Sequence, residues 1–256
     1  MIDRHLLATQ FRSDLKVFWR NPQSRTFTIA LPIVFLVIFA AIFKGSTIVD
    51  GRAIKLTTYY VPGIMTLGII SASFVNLTVA IVTQREAGVL KRARATPVPA
   101  GVVIASRAAV GVLVALVMSG LLLAIGRLGY GVELPGSTMP GLIVAVVIGA
   151  ASFCCLSFAV STLIGAADAA APATNLMVLP LYFISGVFVP ESQIPPFLRH
   201  IADLFPIRHL SQALLEPFVT THGSGIAVDH LLIVAIWGIT GLALATRTFR
   251  WTPRIA

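Results

Sequence analysis

Residue types that perform acid–base, nucleophilic or metal chemistry are sparse in this sequence, and their spacing fits no common site. The two cysteines, Cys154 and Cys155, are adjacent inside an apolar run, whereas disulfide frameworks and zinc sites need spaced ligands. Neither H-E-x-x-H nor G-x-S-x-G occurs, and Asp229 and His230 are expected at the outer edge of the last apolar run. We therefore predict no catalytic residues and no metal site, which argues against an intramembrane enzyme.

A short basic segment with the sequence QREAGVLKRARATP occupies residues 84–97. Its composition allows a helix over residues 84–95, and Pro97 and Pro99 stop that helix. A small apolar edge is formed by Val89, Leu90 and Ala93. From the residues alone, binding to lipid headgroups suits this surface helix as well as any other role.

Composition shows which elements must position this segment. Of the 256 residues, 57% are hydrophobic and only 11% are charged, against roughly 25% charged in soluble domains. So much apolar side chain requires lipid as the solvent for most of the chain. The net charge of +9 does not indicate nucleic-acid binding, because the basic residues lie between apolar runs rather than on one face.

Six apolar runs are predicted to cross a bilayer, since a spanning helix needs roughly 20 apolar residues. Five are long enough alone: Thr26–Phe43, Tyr59–Thr83, Ala108–Gly126, Met139–Ile164 and Ala169–Val189. The sixth, Leu231–Thr246, has 16 residues and reaches full length when residues 226–230 extend it. We expect an all-α integral membrane protein with one domain over residues 1–256. Its segments are 1–25, 26–83, 84–97, 102–189, 190–225 and 226–256.

The distribution of lysine and arginine predicts the orientation of these spans. Residues 1–25, residues 84–107 and the tail from Arg247 together carry 13 of the 19 basic residues, and the opposite connections carry six. Both termini are therefore expected on the cytoplasmic side.

Two regions outside the spans have amphipathic patterns. In residues 1–25, Leu7, Phe11, Leu15 and Trp19 recur every four residues beside a basic stripe of Arg12, Lys16 and Arg20. This pattern predicts a helix lying in the cytoplasmic interface and ending before Pro22, with packing on a soluble partner as the alternative. Residues 190–225 contain two runs of helical spacing, each too short to cross, and predict short amphipathic helices that dip into the outer leaflet.

The segment at 84–97 carries a family resemblance. Arg85-Glu86-x-Gly88, then Leu90, then Ala95-Thr96-Pro97, is similar to the coupling-helix signature of type-2 ABC exporter permeases. The interface helix, the six spans and the segment SGVFVPESQIPPFLRHIADLFPIRHLSQAL extend the resemblance over nearly the whole chain. The nearest subgroup is the drug- and antibiotic-resistance permeases, and polysaccharide and lipid exporters share the architecture.

This resemblance implies a permease subunit in a bacterial cytoplasmic membrane. The sequence lacks G-x-x-x-x-G-K-[ST], so ATP and Mg²⁺ would be bound by a separate P-loop ATPase. Two permeases, either identical or sister chains, and two ATPase subunits would form the working unit. The residues expected to couple the two activities are Arg85, Glu86, Gly88, Val89, Leu90, Lys91, Arg92, Thr96 and Pro97.

The resemblance also implies a substrate path lined by the first, second and fifth spans. Candidate polar residues on it are Ser73, Asn76, Thr78, Thr174 and Asn175, although such residues equally serve as hydrogen bonds between helices. A hydrophobic drug, a lipid or a glycan carrier would each suit this polarity. An ion-coupled carrier or channel is the alternative, and the lack of charged residues at mid-depth argues against it.

Overall fold

A computed structural model describes residues 4–43, 45–49, 52–94, 99–220 and 223–248, and the fold is a bundle of helices. The helices are α1 (Arg4–Arg20), α2 (Pro22–Ile42), α3 (Leu56–Ile70), α4 (Asn76–Glu86), α5 (Val89–Arg94), α6 (Ala100–Tyr130), α7 (Met139–Ser161), α8 (Ala167–Ile184), α9 (Pro196–Ala202), α10 (Pro206–Val219) and α11 (Val228–Thr248). Within the described residues, five helices are long and apolar enough to span a membrane. A shorter apolar stretch, Thr28–Ile42, belongs to α2.

These five helices correspond to the predicted second to sixth spans. The predicted third span is longer than expected, because α6 extends it at both ends. The predicted fifth span is shorter, since α8 ends at Ile184 and a turn follows. The last helix, α11, begins at Val228, so residues 228–230 of the expected extension over 226–230 are helical and residues 226–227 are not. The chain is a multi-pass membrane protein.

The centre of the bundle is one long helix, residues 56–86, formed by α3, a π-helical turn at Ser71–Val75 and α4. All ten residues from Val61 to Ile70 are buried, which is expected of a helix surrounded by others rather than lying at a surface. In the π turn the Asn76 N–H donates to the Ser71 carbonyl. Such a turn inserts one residue into the helix and changes which side chains face each neighbour.

Close contact between α7 and α11 depends on small residues. A Cβ added at Gly241 would lie 2.9 Å from the Leu156 backbone nitrogen, so a larger side chain would force the helices apart. Gly149 similarly faces the Leu210 side chain. Both glycines belong to the small-residue spacings that the sequence contains at 145–149 and 241–245, and close packing at those positions is confirmed.

A β-hairpin between α2 and α3 was not predicted. Its strands are β1 (Ser46–Val49) and β2 (Arg52–Lys55), paired antiparallel with Ser46 opposite Lys55 and Val49 opposite Arg52. The sequence places Asp50-Gly51 between them, a dipeptide typical of two-residue hairpin loops.

The short helices in the 190–225 region form as predicted, but α10 packs on protein. Its apolar residues Leu210, Ala213 and Leu214 are buried in the main core, and α10 contacts α3, α7 and α11. The expectation that this run dips into lipid is therefore wrong for its apolar face. In and after α9, by contrast, Phe197, Ile201 and Leu204 are exposed.

Candidate functional site

The predicted coupling segment is not one helix. The central helix continues to Glu86, a turn follows at Ala87–Gly88, and α5 covers only Val89–Arg94. Gly88 has a φ of 68°, a left-handed conformation that glycine adopts without steric cost and that ends a helix. The expected continuous helix over residues 84–95 is therefore wrong. Thr96 and Pro97 lie outside the described residues, as does the side chain of Arg92.

Arg85 is buried and binds the end of α7. Its guanidinium donates to the carbonyl of Ser161 at 2.8 Å and to the carbonyl of Ile164. The last carbonyls of a helix have no partner within the helix and carry partial negative charge. A buried cation at that position supplies donors for these carbonyls and interacts favourably with the negative end of the helix dipole.

Glu86 binds the other side of the same turn. Its carboxylate accepts a hydrogen bond from the Ala167 backbone N–H at 2.6 Å, and Ala167 is the first residue of α8. A carboxylate there complements the positive end of the α8 dipole. Arg85 and Glu86 thus hold the α7–α8 turn from both sides. The cation lies at the C-terminal end of α7 and the anion at the N-terminal end of α8.

Leu90 anchors α5 to the bundle. It is only 3% exposed and belongs to a small core cluster with Ile81, Phe158 of α7 and Ala245 of α11. Its neighbour Val89 is 41% exposed, and Lys91 is exposed too. Of the three α5 side chains that the structure describes, Leu90 is therefore the one that packs with residues of α4, α7 and α11, and Val89 and Lys91 are exposed.

The N-terminal helix α1 packs on the base of α6. Asp14 accepts hydrogen bonds from Ser106 at 2.5 Å and from Gln10 at 3.1 Å, and Arg107 donates to Gln84, the first residue of the predicted coupling segment. Phe11 and Leu15 are half-buried, whereas Lys16, Trp19 and Arg20 are exposed. Helix α1 ends at Arg20, before Pro22, as predicted.

The five predicted path residues have different positions. Ser73 and Thr174 are buried and donate to carbonyls of their own helices, those of Ile69 and Ala170, and Thr78 is fully buried. The Asn76 amide donates to the Thr28 hydroxyl at 2.5 Å and joins the central helix to α2. Asn175 alone faces an apolar groove.

This groove lies between α2, the central helix and α8, and has a volume of about 370 Å³. Aromatic rings dominate its wall, and the Phe188 ring lies 5.3–5.8 Å from four of them, centroid to centroid. The rings are those of Phe35, Phe39, Tyr182, Phe183 and Phe188. This aromatic set was not predicted from the sequence, because its members come from three separate segments with no shared spacing.

The five membrane-spanning helices of the described residues agree with a comparison to protein families. The family described as ABC-2 type transporter matches residues 5–219. The chain belongs to this family. ABC-2 proteins are the membrane-embedded components of ABC transporters rather than catalytic domains. A search of curated proteins finds no match.

Within an ABC-2 permease, the described contacts fall into two groups. The segment at Arg85–Leu90 lies at one end of α4, α7, α8 and α11. The aromatic groove lies along α2, the central helix and α8. Helix α8 belongs to both groups, because its first residue binds Glu86 and its later residues line the groove.

Proposed function

We propose that this chain is the permease subunit of an ATP-driven exporter that moves a hydrophobic or amphiphilic substrate out of the cytoplasm or the inner leaflet. The observation that carries the proposal is the double anchoring of the α7–α8 turn by Arg85 and Glu86, one turn before the buried Leu90. A force applied to α5 would reach three helices of the bundle through these contacts.

A partner ATPase would apply that force. The sequence has no P-loop motif, so ATP and Mg²⁺ are assigned to a separate subunit. Closure of the ATPase pair would displace α5 and, through Glu86, the start of α8. Since α8 forms one wall of the aromatic groove, this displacement would change the width of the groove. The groove would then bind substrate with different affinity in the two states, as alternating access requires.

In this proposal the chain crosses a bacterial cytoplasmic membrane six times, with α2 as the first crossing and both termini in the cytoplasm. The excess of basic residues on the side of α1, α5 and the tail supports this orientation. A second permease, identical or a sister chain, would pack along α2 and α8, whose exposed apolar residues include Val34, Ile38, Leu176 and Phe183.

The groove supports an apolar or aromatic drug or a lipid as substrate. Its volume of about 370 Å³ falls within the range of drug-sized sites, which are lined by apolar and aromatic groups with few polar ones. Asn175 and Ser71 supply those polar groups here.

The coupling proposal is tested by Leu90→Ala. Loss of a buried leucine costs about 2–5 kcal/mol at such sites and would detach α5 from α7 and α11. We expect the complex with its ATPase to assemble and to hydrolyse ATP, while substrate transport in proteoliposomes falls severalfold. Val89→Ala is the matched control, because Val89 is the exposed neighbour. Equal transport by the two variants would contradict the assigned role of Leu90.

The substrate proposal is tested by Phe183→Ala. This change removes one aromatic wall of the groove, and we expect the apparent affinity for a transported aromatic compound to fall by about tenfold. Leu176→Ala alters an exposed residue outside the groove and should leave affinity unchanged. Binding is measured with substrates identified by a drug-susceptibility panel on a deletion strain. Unchanged affinity in Phe183→Ala would exclude this groove.

A further inference from the structure

A second cavity lies under the N-terminal helix, on the other side of the central helix from the aromatic groove. Its volume is about 110 Å³, and α1, the central helix, α6 and one residue of α7 enclose it. The π turn separates the two cavities: Ser71 and Val75 face the groove, whereas Ala72 and Asn76 face this inner cavity. We call it the α1 slot.

The α1 slot is long and narrow. On the central helix its wall runs from Ala72 to Gln84, which is twelve residues and roughly 18 Å at 1.5 Å per residue. Half of a hydrocarbon core of about 30 Å is roughly 15 Å, so the slot is as long as one leaflet is thick. A small volume spread over such a length gives a cross-section that suits one chain rather than a ring system.

The slot is polar at one end and apolar along the rest. Asp14, Asn21, Gln84 and Arg107 lie at the end near α1, and the remaining wall is mostly aliphatic or small. The smallest residues that line the slot are Ala72, Ala80 and Gly111. In the membrane position proposed above, this gradient would follow the membrane normal, because Gln84 lies near the end of α4 and Arg107 near the start of α6.

The charge at the polar end favours a phosphate. Arg107 gives one of its five N–H donors to Gln84, and the two oxygens of Asp14 already accept from Ser106 and Gln10. On α1 the basic residues Arg12, Lys16 and Arg20 are all exposed. Asp14 offsets the charge of Arg107, so the net positive charge at this end comes from the three α1 cations, and this net charge attracts a phospholipid phosphate.

We propose that the α1 slot binds one acyl chain of an anionic phospholipid from the leaflet on the α1 side, with the lipid phosphate at Arg107. The lipid would fill the space between α1 and the central helix and would hold the interface helix against the bundle. This lipid site rests on the membrane orientation proposed above, and it does not depend on which substrate the aromatic groove binds. Because Gln84 precedes Arg85, the lipid would also lie beside the coupling segment.

The test is photolabelling of the purified full-length chain in liposomes. The probe is a phosphatidylglycerol with a diazirine near the end of one acyl chain, and labelled residues are mapped by mass spectrometry. We expect labels on wall residues of the slot, at 72–80 and 110–114, in addition to the lipid-facing surface. Labels on the lipid-facing surface alone would overturn the proposal. Since both leaflets contain the probe, the result does not depend on the orientation of the protein or on ATP-driven transport.

Variants make the assignment specific. Ala72→Phe and Ala80→Phe each fill the slot and should reduce its labelling to background, whereas Ala109→Phe, on the exposed face of α6 at the same level, should not. Thermal unfolding of each variant identifies any that fails to fold, and one folded slot variant is sufficient. Slot labelling that persists in a folded Ala72→Phe or Ala80→Phe overturns the site. A diacylglycerol probe lacking the phosphate should label the slot less, and equal labelling would overturn the role of Arg107.

Discussion

Arg85 is a buried cation whose guanidinium is held by two backbone carbonyls. A buried cation is costly unless its donors and charge are matched, and Arg85 meets that requirement with backbone carbonyls of Ser161 and Ile164. Planar guanidinium geometry allows one side chain to reach two carbonyls at once. The residue thus ties the end of α4 to the end of α7, and in the proposed mechanism this contact would fix the base of the coupling segment.

We predict that Arg85→Ala destabilises the protein by about 2 kcal/mol or more, because it leaves buried carbonyls without donors. Arg85→Lys should recover part of this loss, since the lysine ammonium keeps the positive charge but lacks the planar guanidinium that reaches both carbonyls. The measurement is the thermal unfolding midpoint in detergent. Arg127→Ala is the control, because exposed Arg127 makes only a 3.4 Å contact to the Val132 carbonyl. Similar midpoints for Arg85→Ala and Arg127→Ala would refute the assigned anchoring.

At the same scale, the sequence predicts candidate residues better than their contacts. Arg85, Glu86 and Leu90 are candidates because their order resembles the coupling-helix signature. The partners of Arg85 cannot, because they are backbone carbonyls 76 and 79 residues further along the chain, and any residue type can supply a carbonyl. Ser73 and Thr174 illustrate the converse: their hydroxyls suit a path by type, yet they bond carbonyls within their own helices.

At the scale of elements, the coupling segment depends on the turn at Gly88. The turn separates α4, which is part of the membrane helix, from α5, which has only six residues. A helix this short has little stability of its own, so its position is set by Leu90 and by the geometry of the turn. In a continuous helix, residues 89–94 would keep the direction of α4. The turn at Gly88 gives α5 its own direction.

We predict that Gly88→Ala weakens coupling through backbone strain alone. The φ of 68° costs roughly 1–2 kcal/mol for a residue with a Cβ, and no atom within 4 Å would obstruct that Cβ. Gly88→Asn should be milder, because asparagine tolerates the left-handed region. The ratio of substrate transported to ATP hydrolysed measures the effect. Gly120→Ala, at an open helical position without positive φ, is the control, and a ratio as high in Gly88→Ala as in Gly120→Ala would contradict the strain argument.

Helix existence was predictable at this scale, but irregular elements were less so. Apolar runs of 16 to 26 residues leave little choice other than helices, since backbone groups in lipid must be satisfied internally. The π turn at Ser71–Val75 leaves no signature, because five apolar or small residues fit a helix of either pitch. The β-hairpin did leave one in Asp50-Gly51, and attention to turn chemistry would have identified it.

For the whole molecule, the long central helix organises two distinct cavities. Helices α2 and α8 flank the aromatic groove on one side, and α1 and α6 enclose the slot on the other. The π turn faces both. Composition predicted the membrane environment and the rough number of crossings, but the positions of the cavities follow from how side chains pack across the bundle, which periodicity alone does not determine.

The central claim is that this ABC-2 chain is driven by a partner ATPase. The most direct measurement is affinity purification of the tagged full-length chain from its native membrane, followed by an ATPase assay and mass spectrometry. We predict that a P-loop ATPase co-purifies and hydrolyses ATP in a Mg²⁺-dependent manner. The account is contradicted if the chain purifies without any nucleotide-binding partner and, in proteoliposomes free of ATP, catalyses substrate flux driven by an ion gradient.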